Sequence, residues 1–187
     1  TSRGLGDVYK RQGGDGRCLN AAQMRVLREV FAGVRTAAGQ PVYAPFPWDT
    51  GVAAANWAQW KFVNALALDP LSVGTVFSVP PGRVNVATDD IGQWLQRFGA
   101  TDTTHRESGM SLMSPPGHEQ PSSMGALQGR GAKMVLYHGV SDAIFSAEDT
   151  RQWMLRLQQA LGARADSFAR YFPVPGMAHC SGGPATD

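Results

Sequence analysis

Two side chains able to move protons stand in matching settings near the end of the sequence. Asp142 closes the polar run His138-Gly139-Val140-Ser141-Asp142, and His179 lies in Pro175-Gly176-Met177-Ala178-His179-Cys180. A carboxylate bonded to an imidazole fixes which ring nitrogen carries the proton and stabilises the imidazolium. The imidazole can then serve as general base toward a hydroxyl nucleophile. No G-x-S-x-G turn, the usual presentation of such a hydroxyl, occurs in the 187 residues.

The segments before the two groups decide whether they can meet. Met134-Val135-Leu136-Tyr137 is a continuous apolar run of the kind found in buried parallel strands. After the Asp142 loop, Ser146 with Asp149 three residues on predicts a capped helix carrying Trp153, Met154, Leu157 and Leu161. A second strand follows over Phe168 to Val174, with Phe168, Phe172 and Val174 alternating outward from Arg170. Strand, loop, helix, strand and loop make an α/β unit. Open parallel sheets hold catalytic groups at the carboxyl ends of their strands. The order Asp then His is the second half of the Ser, Asp, His order of α/β-hydrolases.

Upstream, Asn20-Ala21-Ala22-Gln23 predicts a capping box, and Met24, Leu27, Val30, Phe31 and Val34 recur at helical spacing. Thr36 to Pro81 is rich in Gly, Pro and aromatics, with one short helical candidate around Asn56 to Leu68. Asp89 to Phe98 reads as a short helix through Ile91, Trp94, Leu95 and Phe98, and polar residues follow to Glu107. Ser114 to Gly131 is a Gly/Pro/Ser-rich passage into the first strand. Thr1 to Gln12 reads as a non-native leader, and the turn-rich end as a cut, so the chain is expected to be a fragment.

Composition narrows the classes. The chain is 43% hydrophobic and 17% charged, with 17 Lys+Arg against 15 Asp+Glu for a formal charge of +2. That balance argues against disorder, and the absence of a basic cluster argues against nucleic acid. No run approaches the roughly 18 apolar residues of a membrane helix. The two cysteines, Cys18 and Cys180, and the four histidines, His105, His118, His138 and His179, lack local metal-binding spacing.

From about Gly13 to Asp187 the sequence resembles the tannase and feruloyl esterase family, which includes hydrolases of terephthalate half-esters. Lys133 to Asp142 looks like the family's K-x-x-x-Y-H-G-x-x-D strand and acid loop, and Val174 to Pro184 like its V-P-G-M-x-H-C-x-G-G-P signature. Val140 and Ala143 depart from the common Trp and Pro. The resemblance implies the C-terminal part of an α/β-hydrolase core plus part of its inserted lid domain. Residues 13–125 would be partial lid and return to the core, and residues 126–187 the C-terminal segment. It implies Asp142 as triad acid, His179 as general base, and Cys180 as half of a disulfide to a cysteine preceding the nucleophilic serine. Cys18 to Gln23 resembles the C-L-T-x-x-Q start of a lid helix, so Cys18 too would have its partner upstream.

The implied activity is hydrolysis of aromatic-acid esters, feruloyl, galloyl or related, by a secreted or periplasmic serine esterase. This chain alone is expected to be inactive, the serine and oxyanion hole lying upstream. Phe145, Trp57 and Trp60 are candidates for the wall gripping an aromatic acyl group. No cofactor or metal ligand is expected here. By resemblance, calcium belongs to the lid of the full-length protein, and Asp7 and Asp15 do not form its pattern. Two other classes fit parts of the sequence: a noncatalytic binding module using Tyr43 to Phe62, and a metal protein using His138, His179 and Cys180.

Overall fold

The computed structural model describes residues 18–114, 120–179 and 182–184. Its centre is a parallel pair of strands, β1 (Met134–Gly139) and β2 (Ala169–Val174), in the register Met134↔Ala169 through Gly139↔Val174. Parallel strands need a long crossover, and here it is α-helical. Two helices make it, Ala147–Leu161 and Arg164–Phe168. Ser146 starts the first, its hydroxyl accepting the Glu148 N–H at 3.1 Å. The cap therefore closes on the second helical residue rather than on Asp149.

The apolar stripe of this crossover covers one face of the sheet. Met154, Leu157, Leu161, Ala165, Phe168, Ala169 and Met124 form a single core, with Met134, Leu136 and Tyr171 packed on it. The opposite face, carrying Val135, Tyr137 and Phe172, is exposed. The expected alternation of Phe168 with Phe172 and Val174 is therefore corrected. Phe168 belongs to the helical turn before β2, so the strand's period of two begins at Ala169 and sends Ala169 and Tyr171 inward. His138 and Gly139, read as loop from the sequence, are the last residues of β1.

The N-terminal part has its own core of Phe31, Phe46, Trp57 and Ala143. Phe31 stacks between Trp48, at 3.8 Å between ring centroids, and Trp57, at 5.4 Å. Ala143 directly follows Asp142, so the acid loop is seated in this aromatic cluster. The first helix, Ala21–Phe31, opens on the expected capping box between Asn20 and Gln23. It stops before Val34 because Gly33 turns the chain into the left-handed region at φ 80°.

The helical candidate near Asn56 extends further than expected, to Val76, as α-turns alternating with π-helical turns at Gln59–Asn64 and Ser72–Val76. Asp69-Pro70 looks like a breaker in sequence, yet Pro70 sits in the first turn of a renewed helix, where its missing N–H costs nothing. Ile91–Gly99 is helical as expected, capped by Asp90. The Ser114 to Gly131 passage holds two short helices, Pro121–Met124 and Gly125–Gly129. Among the described residues no helix is long and apolar enough to cross a membrane.

Candidate active site

The parallel pairing brings the two polar loops side by side. The Val140 N–H donates to the Val174 carbonyl at 2.9 Å and the Ser141 N–H to the Met177 carbonyl at 3.0 Å, carrying the ladder past the strand ends. Gly139 permits this approach, since a Cβ there would collide with the carbonyl oxygens of Met177 and Ala178.

Asp142 and His179 meet at that edge. His179 Nδ1 lies 2.9 Å from Asp142 Oδ2. An ionised carboxylate only accepts, so Nδ1 carries the hydrogen and the ring's lone pair is on Nε2. Asp142 Oδ1 meanwhile accepts the backbone N–H groups of Ile144, at 2.7 Å, and Phe145, at 3.0 Å. The residue thus forms the turn that an aspartate after a strand commonly forms. Its second oxygen is left for the imidazole.

A second histidine joins the same carboxylate. His138 Nε2 lies 3.1 Å from the Phe145 carbonyl and 3.4 Å from Asp142 Oδ2, so this nitrogen faces two acceptors and donates. Its Nδ1 lies 2.8 Å from the Thr150 hydroxyl, which donates to it. Burial pushes the Asp142 carboxyl up, but hydrogen bonds from His138, His179 and the two backbone N–H groups outweigh it and hold the group at about 2.

Phe145 and Trp60 both lie near the His179 ring, with centroids 5.5 and 6.3 Å from its own. Trp60 and Lys61 both stand on the π-helical turn Gln59–Asn64. Lys61 Nζ donates to the Ala143 carbonyl at 3.1 Å and sits 3.2 Å from the centre of the Phe46 ring. Burial lowers its ammonium to about 8, with Asp142 and Asp69 pulling the other way. Trp57, only 5% exposed, lies in the aromatic core behind this wall. Phe46 is also buried, so part of the Tyr43 to Phe62 stretch is interior rather than recognition surface.

Of the other residues singled out from sequence, Cys18 is a free, half-buried thiol two positions before the Asn20 cap. Cys180, His118, Asp7 and Asp15 lie outside the described residues. His105 pairs with Asp102 at 3.0 Å on the surface, far in sequence from either loop. Among the described residues no group of three or more His, Cys, Asp or Glu side chains is arranged to hold a metal ion. Cys180-Ser181 places a cysteine before a serine, but His179 stands where the elbow needs glycine.

Sequence reading missed His138 and Lys61 as partners of the acid loop, and Asp49 and Ser141 altogether. Lys61 lies inside the expected helix, but a π-turn shifts the register that helical spacing assumes, so its facing could not be read. Asp49 and Ser141 bond across 92 positions, a relation that no local pattern carries.

A family model described as "Tannase and feruloyl esterase" matches residues 6–187. Mono(2-hydroxyethyl) terephthalate hydrolase of Piscinibacter sakaiensis is 32% identical over 197 residues, which cover 91% of this chain and 31% of that protein. A probable feruloyl esterase B-2 of Aspergillus terreus is 26% identical over 182 residues, 89% of this chain and 29% of that one. The crystal structure of feruloyl esterase B from Aspergillus oryzae superposes with a TM-score of 0.60 at 24% identity, covering 91% of this chain and 33% of that chain. That likeness speaks for the fold. The chain spans about a third of the length of these relatives.

Proposed function

Since the chain belongs to the tannase and feruloyl esterase family, we propose that it supplies the acid and base of a serine carboxylic ester hydrolase acting on aromatic-acid esters. The observation that carries this reading is the 2.9 Å contact of His179 Nδ1 with Asp142 Oδ2 at the carboxyl edge of two parallel strands. The serine, on a segment outside this sequence, attacks the ester carbonyl while His179 Nε2 takes its proton. The tetrahedral intermediate expels the alcohol, which receives that proton, and leaves an acyl-serine. Water, deprotonated by the same nitrogen, then adds to the acyl carbonyl. The acyl–serine bond breaks to free the acid, and the serine oxygen takes the proton back from His179. Asp142 holds the Nδ1–H tautomer throughout and stabilises the transient imidazolium.

Phe145 and Trp60, both beside His179, favour a flat aromatic acyl group. The isolated chain has no nucleophile elbow and is inactive in this reading. Cys180 adjoins the base, and a disulfide from it to the nucleophile loop would suit a secreted or periplasmic parent. The test is a chimera in which this chain replaces the matching third of Aspergillus oryzae feruloyl esterase B. Hydrolysis of a feruloyl ester by the chimera, abolished by His179→Ala and absent from the isolated chain, is expected. A folded chimera that turns over equally well with His179→Ala would overturn the reading.

A further inference from the structure

We infer that Asp49 is a positioning residue whose carboxylate clamps the acid loop to the base loop and so sets the Asp142–His179 distance. The inference rests on the reading of that pair as acid and base for its consequence, but on separate contacts for its geometry. Asp49 Oδ2 accepts the Ser141 hydroxyl at 2.5 Å and the Gly176 N–H at 2.6 Å. Ser141 immediately precedes the acid, and Gly176 stands three residues before the base. One oxygen atom therefore touches both loops. Hydrogen bonds to an ionised acceptor at such short distances are among the strongest available.

The clamp is itself held from behind. The Gly51 N–H donates to Ser141 Oγ at 2.9 Å, which leaves the hydroxyl proton for Asp49. A Cβ on Gly51 would collide with the Ser141 side chain, so the 49–51 turn is pressed directly against the acid loop. Ser141 is buried. The Ser141 N–H to Met177 bond already joins the two loops at this point, and the Asp49 carboxylate adds a second tie there, one residue before Asp142. A productive acid–base bond tolerates only about 0.5 Å of displacement.

The test uses the 187-residue chain and compares it with Asp49→Ala, Asp49→Asn and Ser141→Ala by nuclear magnetic resonance. Two signals are followed: the hydrogen-bonded Nδ1–H of His179 and the exchange protection of the Gly176 amide, with the Leu157 amide reporting the global fold. Asp49→Ala is expected to remove the Nδ1–H signal and lower Gly176 protection about tenfold or more, the scale of a lost charge-assisted hydrogen bond, while Leu157 protection stays. Asp49→Asn, which keeps an acceptor oxygen, should recover part of both. Should Asp49→Ala not fold, Ser141→Ala must still weaken the signal. Full Nδ1–H intensity in the folded variants overturns this inference alone. Absence of the signal in the unsubstituted chain overturns it together with the acid–base pair.

Discussion

His179 Nδ1 meets Asp142 Oδ2 at 2.9 Å across 37 positions of sequence, and the acid side chain is 4% exposed where the base is 31% exposed. This asymmetry suits a triad. A carboxylate shielded from water orients its partner strongly, while a partly exposed imidazole can reach a hydroxyl and a leaving alcohol.

The buried acid makes the fold sensitive to low pH. Asp142 titrates at about 2 in the folded chain against its ordinary 3.8. Between those values the unfolded chain binds more protons, so stability is fully present above about pH 4 and is lost as pH falls toward 2. The loss attributable to this group is about 2 kcal/mol. Urea midpoints at about pH 5.5 and pH 2, with Asp142→Asn as control, should show a steeper fall in the unsubstituted chain. Equal falls would remove Asp142 from the account of acid sensitivity.

Lys61 should act in the alkaline range. Its folded value of about 8 lies below the ordinary 10.5 because burial disfavours the ammonium. The unfolded chain therefore holds more protons between those values, and stability is expected to rise with pH across that window. Lys61→Met should abolish the rise. A chain that loses stability steadily from pH 8 upward, with and without Lys61, would contradict this.

The two faces of the sheet should respond oppositely to substitution. Leu157, fully buried, lies in the core beneath β1 and β2. Leu157→Ala is expected to cost about 2–5 kcal/mol. Val135, Tyr137 and Phe172 lie on the bare face, and a contiguous apolar surface of that kind promotes association. Val135→Lys with Phe172→Lys should change stability by no more than about 0.5 kcal/mol and lower light scattering at high concentration. A large destabilisation by the lysine pair would show that this face is packed.

The strand-loop-helix order around Asp142 was legible because its signals are local: an apolar run, a serine cap and a helical stripe ending at Leu161. The meeting of Asp142 and His179 followed only from placing both at strand ends, and the parallel register sets those ends side by side. What escaped was either irregular or distant. The π-turn that carries Lys61 breaks the period from which the facing of a helical residue is read. The parity of β2 was misplaced because Phe168 closes a helix rather than opening a strand. Asp49, in Pro47-Trp48-Asp49-Thr50, carries no local signal of its partners. Only the folded chain brings it to Ser141 and Gly176.

The most direct test of the central claim is the kcat of the chimeric esterase carrying Asp142→Asn. Exchanging the orienting carboxylate for an amide costs about 10⁴ in turnover where a Ser-His-Asp triad operates. A fall of that order, with the His179 Nδ1–H signal lost and the fold intact, is the expected result. A fall of less than about tenfold, far short of that scale, would contradict the assignment of Asp142 as the acid.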